Sequence, residues 1–536
     1  MKQFNKWFFF FLILVTICLP LAAGGSQAGP SGGIHSGPSI TGTGRVNYPI
    51  NTNIGVTHWV EMNANVSANY VNMGDTPLAR YRNERTGINV TYLHPATGTG
   101  SEQFNLIIAS GDLPDIMEFN WLNFPGGPEK AIEDGVIHRK NEIFDLWAPN
   151  IKAYLNANPD YDRQVRTDEG SYYAFYYLRG DDGLLLTNGP QMRKDWLDEL
   201  GLAIPVTLDD WHRILTAFRN RGVQAPFSWT QWDRLPFFYT YGEWPRGYRL
   251  DTNGRVVFSP IQNGYRQALN LMAQWYREGL LDPDFPTLTT AVLNQKMITG
   301  NAGASAHQVG QGMGTWTLTA RQTNPGFELV AVPYPVVNRG DRVNMVYTTF
   351  HYTGGGTAAI TTGARNVEIA ARYLDWNYTD DGHNLNNFGV EGVTYNWVNG
   401  YPLFTNYIFN HPQGWPPAQA FMPYALAAHN GPFIQDVRYF EQYLDLPEQQ
   451  AALSAWSIPN MHRFMMPPVT PSPEESREFA QIMQAVNTYV QEMEFRFILG
   501  TESFANWDNY VNTINRMGID RAIQLRTIAL ERYNRR

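Results

Sequence analysis

Between Thr57 and Phe119 the chain alternates short strand-forming runs with helical ones, and no other feature narrows the fold as much. Thr57 to Met62 has the composition of a strand. Pro77 to Arg85 follows as a helix that Gly87 ends, in the usual place for a glycine behind a helix. Ile88 to Leu93 is rich in β-branched and aromatic residues and predicts a second strand. Thr99 and Glu102 have capping-box spacing and predict a helix carrying Phe104, Ile107 and Ile108 on one face, stopped by Gly111. Pro114 to Phe119 predicts a third strand. Strands that alternate with helices imply βαβ units and a largely parallel sheet. Ligands of such sheets bind beyond the carboxyl ends of the strands, which puts Asn120 and Trp121 at a ligand-facing edge.

A second region opens near Arg193. Met192 to Leu200 predicts a helix with Gly201 behind it, and Thr207 and Asp210 cap another that runs to about Arg219. Gly264 to Glu278 predicts a further helix. Ala358 to Thr362 predicts a strand, Asn366 to Tyr378 a helix, and Asp380 a short helix closed by Gly389. The last third is helical, with segments from about Glu475 to Met493, Trp507 to Met517 and Ile519 to Arg532.

The first residues read as an export signal. Lys2 and Lys6 precede an apolar run from Trp7 to Leu19, then Pro20 and the small residues Ala22, Ala23 and Gly24. The run is short for a membrane span, which needs roughly 20 residues. Cleavage is expected near Ala23 or Gly24. The single cysteine, Cys18, lies inside this segment, so the mature chain is expected to hold no disulfide. A lipid-anchored protein needs a cysteine just after the small residues; Gly24 and Gly25 stand there instead. Residues 25 to 44 are rich in Gly, Ser and Pro and read as a flexible leader with nothing to bury.

The 536 residues are 43% hydrophobic, enough for more than one domain. The net charge of -9 comes with no single-sign block, which excludes the basic stripe of a nucleic-acid binder. Enzyme signatures are absent: the sequence contains no HExxH and no GxSxG at a strand-to-helix elbow, its one match, Gly29 to Gly33, falling in the Gly/Ser/Pro-rich leader. Glu133, Asp134 and Glu391 are carboxylates of the kind a glycosidase pairs, but nothing in the sequence brings them together. No catalytic residue, cofactor or metal site is expected.

Five segments, in order, resemble the family 1 extracellular solute-binding proteins of ABC importers, in particular the lipoprotein-type oligosaccharide binders. They are Asn83 to Phe119, Phe124 to Ile137, Gly189 to Trp211, Phe350 to Trp397, and the end of the chain from Trp507. The resemblance implies an α/β fold of two lobes, the periplasmic-binding-protein or Venus-flytrap type, with hinge crossings and a helical C-terminal region. It implies a ligand held in the cleft, closure of the lobes, and delivery to a membrane permease. The crossings it implies fall near Tyr173 to Leu186, Val346 to His351 and Asp380 to Glu391. The division expected is a signal peptide at 1–24, leader at 25–44, first lobe at 45–178 and 347–385, and second lobe at 179–346 and 386–536. Two departures matter. The stretch Arg219 to Ala225 holds two arginines and no carboxylate where many relatives carry a calcium-binding loop, and calcium wants several oxygen ligands. The lipobox cysteine is missing, which implies a free periplasmic or secreted protein, probable partners being a small-molecule ligand and a permease, with the chain a monomer and no nucleic acid bound.

The chain has 16 Trp and 29 Tyr, many in contexts that read as loops. Sugar rings present C–H faces that stack on aromatic planes, and their hydroxyls need Asp, Glu, Asn, Gln or Arg. The candidate ligand contacts are Trp59, Asn120, Trp121, Tyr177, Arg179, Trp229, Trp232, Trp316, Tyr347, His351, Glu391, Tyr395 and Trp397. Each aromatic has core packing as its alternative role. Gly354, Gly355 and Gly356 lack the P-loop pattern and read as a hinge or turn. An oligosaccharide or glycoside is the expected ligand; a secreted glycosidase or lyase, a peptide binder and a sensor-coupled binder are the alternatives.

Overall fold

The computed structural model describes residues 39–536 except 97, 231–234, 246 and 428–430. The predicted signal peptide, most of the leader and Trp232 lie outside the described residues.

The first three predicted strands form, shortened, as Val56–Trp59, Val90–Leu93 and Ile116–Glu118. Val56–Trp59 lies between the other two and runs parallel to both. Ala358–Ile360 joins the edge beside Ile116–Glu118, antiparallel, so the sheet is largely parallel, as the sequence predicts, with one antiparallel edge strand. Helix Pro77–Thr86 starts behind the Thr76 side chain, which accepts from the Ala79 N–H, and ends on Gly87 at φ 72°. A side chain at Gly87 would also run into the Ile50 carbonyl. Helix Gly100–Ser110 forms, but without the expected capping box: Thr99 makes no cap bond, and its hydroxyl donates to the Ala96 carbonyl.

The second sheet holds four strands in the order Leu329–Ala331, Asn188–Arg193, Ala302–Gln308, Ala225–Phe227. Its two longest strands pair antiparallel. Met192, expected in a helix, belongs to the strand; the helix begins at Lys194. Helix Leu208–Asn220 has the predicted capping box, with Thr207 and Asp210 bonded to each other's backbone N–H groups. Trp211, Ile214, Leu215 and Phe218 on its buried face join a cluster with helices Asn263–Arg277 and Pro473–Leu499.

The chain leaves the first sheet's side after Leu178–Arg179 and returns at Ala358–Ile360. The third crossing is not at Asp380 to Glu391. That stretch opens with helix Asp380–Phe388, which packs on Pro77–Thr86, and Asn386 bonds Arg82. Ile434–Gln435 still pairs with Leu178–Arg179. Only at helix Pro447–Trp456 does the chain reach the second sheet, where the Trp456 indole donates to the Pro190 carbonyl and covers Gly189 so closely that no Cβ would fit there.

Two ionic clusters hold the segment at Ile40 and the last helix. Glu368 accepts the backbone N–H of Ile40 (2.9 Å) and of Thr41 (2.5 Å), and Arg372 donates to the carbonyls of Gly42, Gly44 and Trp147. Both residues lie on helix Val367–Asp375, within or close to its first two turns. At the other end Asp168, fully buried, accepts from Arg532 (2.5 Å) and Arg536 of the last helix and its tail, and Arg532 also donates to Glu475. No helix of the described residues is long and apolar enough to cross a membrane.

Candidate functional site

A cavity of about 320 Å³ opens beyond the carboxyl ends of Val56–Trp59 and Ile116–Glu118. Its position follows from the topology: parallel strands direct their last residues to one edge, and the loops leaving them, from Val60 to Asn63 and from Phe119 to Asn120, form the rim. Trp59, Phe119, Met73 and Leu426 supply apolar wall. Phe119 is braced by Phe104, ring centroids 3.7 Å apart and 10° from parallel.

Its floor is polar. His58 pairs in register with Ile116, so Glu118, two residues on, shares the sheet face of His58 and lies beside it. His58 Nε2 is 3.7 Å from the nearer Glu118 carboxylate oxygen. His58 is 3% exposed, stacks on Tyr92 at 5.6 Å, and neither ring nitrogen makes a hydrogen bond. Arg82, also 3% exposed, comes from the helix between the first two strands. It donates to the Tyr373 hydroxyl (3.3 Å) and Asn386 Oδ1 (2.7 Å), while its Nε has no partner. Tyr92 and Tyr373 share a hydroxyl–hydroxyl bond of 3.0 Å, and Asn377 accepts from Asn386 (3.1 Å).

Burial sets the protonation of this floor. The Glu118 carboxyl is pushed up to about 7 by burial, against the lowering pull of Arg82. The His58 ring is pushed down to about 3, first by burial and then by the charge of Arg82. His58 is therefore a neutral ring at physiological pH. Among the described residues no group of His, Cys, Asp and Glu is arranged to hold a metal ion.

The structure brings Trp59 and Asn120 to this cavity. Trp121 lies beneath it, fully buried against Phe104 and Phe124. Trp229 stacks on Phe285 at 4.8 Å in the second core, and Trp316 is buried with its indole donating to Asn294 Oδ1 at 2.7 Å. All three indoles are fully buried, Trp229 and Trp316 within the two hydrophobic clusters. Arg179 and His351 meet at the first crossing: His351 Nδ1 is 2.6 Å from the Arg179 carbonyl, its Nε2 is 3.2 Å from Asp182, and Arg179 donates to Thr349. Tyr177 is buried beside Phe433 (5.3 Å), and Tyr347 is half-buried against the first core. Tyr395 and Trp397 belong to a hairpin, Tyr395–Val398 with Tyr401–Phe404, away from the cavity lining; Trp397 is 40% exposed and Glu391 is exposed. Gly354 and Gly356 have φ of +87° and +62°, which fits the turn expected there, and Gly356 lines the cavity.

Glu118, Arg82, His58, Tyr373 and Asn377 were not among the sequence-based candidates. One signal for two of them was present: a His in Val-Thr-His-Trp and a Glu in Ile-Met-Glu are ionisable groups inside short strands of a sheet that must be covered on both faces.

A fold of two α/β sheets joined by repeated crossings, with a cavity at strand ends, is the architecture of solute-binding proteins. The chain belongs to the bacterial extracellular solute-binding protein family, whose model matches residues 74–384. It is similar to the fructooligosaccharide ABC transporter substrate-binding protein FusA of Streptococcus pneumoniae serotype 4 (strain ATCC BAA-334 / TIGR4), 21% identical over 84% of this chain and 86% of the relative. The melibiose/raffinose/stachyose-binding protein MelE of Bacillus subtilis (strain 168) is 22% identical over 49% of this chain and 58% of its own length. Among solved structures, the alginate-binding protein AlgQ2 without calcium ion superposes with a TM-score of 0.72 at 25% identity, covering 91% of this chain and all of that one (100%). FusA in complex with kestose superposes at 0.71 with 18% identity, covering 90% and 99%.

Proposed function

We propose that this solute-binding protein captures an oligosaccharide or glycoside at the cavity beyond the first sheet and delivers it to an ABC-type permease. The observation that carries the reading is the cavity itself, with Trp59 and Phe119 on its wall and Glu118, Arg82, Asn120 and Asn377 among its polar groups. Apolar faces with a few fixed polar partners suit a sugar ring. The ligands named for the relatives support the same class, since fructooligosaccharides, raffinose-type sugars and alginate are all glycans.

The protein acts by binding and release, without catalysis, as a monomer and without nucleic acid. It is exported through the segment before Gly24 and works outside the cytoplasm. The lobes exchange chain after Leu178–Arg179, between Leu329–Ala331 and Ala358–Ile360, and before helix Pro447–Trp456. Ligand drives closure only by binding the closed arrangement more tightly than the open one.

A thermal-shift screen of the mature protein against oligosaccharides, monosaccharides and peptides tests this reading. A ligand at 100 times its Kd adds about 2.7 kcal/mol of stability. The expected result is a shift with oligosaccharides, the sugar being recovered intact. A sugar recovered cleaved, or a shift with peptides alone, overturns it.

A further inference from the structure

The charges around the cavity favour one class of glycan. Two carboxyl side chains line it, Glu61 on the rim and Glu118 on the floor. The Glu118 side chain makes no hydrogen bond among the described residues, its nearest polar approach being His58 at 3.7 Å, and it is 13% exposed and lines the cavity. The cation at the cavity is Arg82, and it does not present a free fork. Its two terminal nitrogens are committed to Tyr373 and Asn386, and the guanidinium is almost wholly covered. An arginine that recognises a carboxylate offers two parallel N–H groups. His58 adds no charge, since burial keeps its ring neutral.

We propose that the cavity takes an uncharged sugar ring, held through its hydroxyls by the Glu118 carboxyl, and that it rejects uronates. This rests on the oligosaccharide reading above and narrows it. A carboxyl group accepts from neighbouring hydroxyls of a neutral ring. Above pH 7, where Glu118 is ionised, a uronate in the same place sets another carboxylate against Glu118 and Glu61, and among the described lining residues no cation presents a free fork to offset it; like charges in a partly dry site repel strongly. The backing of Glu118 fits this role: His58 stands behind it, and Arg82 compensates its charge without reaching into the space a ligand fills.

The test is calorimetric titration of the mature protein at about pH 8.5, where Glu118 is ionised, with two probe pools: mixed neutral oligosaccharides (fructo-, galacto- and malto-series) and mixed oligouronates (oligogalacturonates and oligoalginates). The expected result is heat of binding with the neutral pool and at least a tenfold weaker response with the uronates. Glu118→Gln, checked for folding by its melting curve, is expected to weaken neutral-sugar binding about tenfold or more, the loss of a charged hydrogen-bond acceptor. Uronates binding as well as or better than neutral glycans overturn the charge assignment and leave the oligosaccharide reading standing. No response to either pool overturns both. Unchanged affinity in a folded Glu118→Gln protein overturns the role of Glu118. If that variant does not fold, the comparison of the two pools on the unaltered protein still decides the charge class.

Discussion

His58 and Glu118 stand side by side on neighbouring parallel strands, 3.7 Å apart, both buried and neither hydrogen-bonded to the other. Their titrations move in opposite directions, and the stability of the protein reads both. His58 binds a proton less readily folded (about 3) than unfolded (6.5), so its contribution is fully present above 6.5 and is lost as pH falls toward 3. Glu118 binds a proton more readily folded (about 7) than unfolded (4.5), so its contribution is present below 4.5 and is lost as pH rises to 7. Between 4.5 and 6.5 the two slopes oppose each other. Glu118→Gln removes the falling slope, and stability should then climb across that interval by about 1.4 kcal/mol per pH unit relative to the unaltered protein. His58→Gln should do the reverse. Urea midpoints at pH 4.5, 5.5 and 6.5 measure both; two variants with the parent's profile would show that the pair does not titrate as described.

Arg82→Gln should destabilise by about 2–3 kcal/mol, because it strips the charged donor from Tyr373 and Asn386 in a buried site. Chemical denaturation gives the value. A loss below half a kcal/mol would mean the network is looser than its distances imply.

Removing Arg532 to Arg536 leaves the Asp168 carboxylate buried without its guanidinium partners. A buried charge stripped of its partner costs about 3–5 kcal/mol. Adding Asp168→Asn to the truncation should restore part of the loss, since the neutral amide needs no counter-charge. Denaturation of the two proteins side by side measures the rescue; equal stability argues against an electrostatic clamp.

Trp229→Ala and Trp397→Ala separate packing from exposure. Trp229 is fully buried against Phe285, and its truncation should cost about 3–5 kcal/mol. Trp397 is 40% exposed on a hairpin tip, and its loss should fall within about 1 kcal/mol. Melting curves rank them, and the reverse order would contradict the burial described.

The elements that sequence marked well are those whose pattern is local. Thr207 and Asp210 cap their helix because both ends of the capping box lie within one turn. Ala302–Gln308 shows the opposite case. It is a central strand of the second sheet, yet its run of small residues, Ala-Gly-Ala-Ser-Ala, has neither alternation nor β-branching, because nearly every position is covered on both faces. Met192 read as helix because its strand, which contains Gly189 and Pro190, lacks strand-forming composition. The site was half legible. Strand order points to Asn120 and Trp121, of which Asn120 lines the cavity and Trp121 is buried, while Glu118 becomes notable only once register sets it beside His58. Trp121, Trp229 and Trp316 show the limit from the other side: an indole in a polar stretch carries no mark that tells a wall from a core.

The bonds at Glu368 and Arg372 decide where a pull on the chain is felt. Any tension arriving at Ile40 passes through those two side chains into helix Val367–Asp375, on the side of the first sheet. The side of the first sheet therefore carries that load, and the second sheet with its helices lies outside its path.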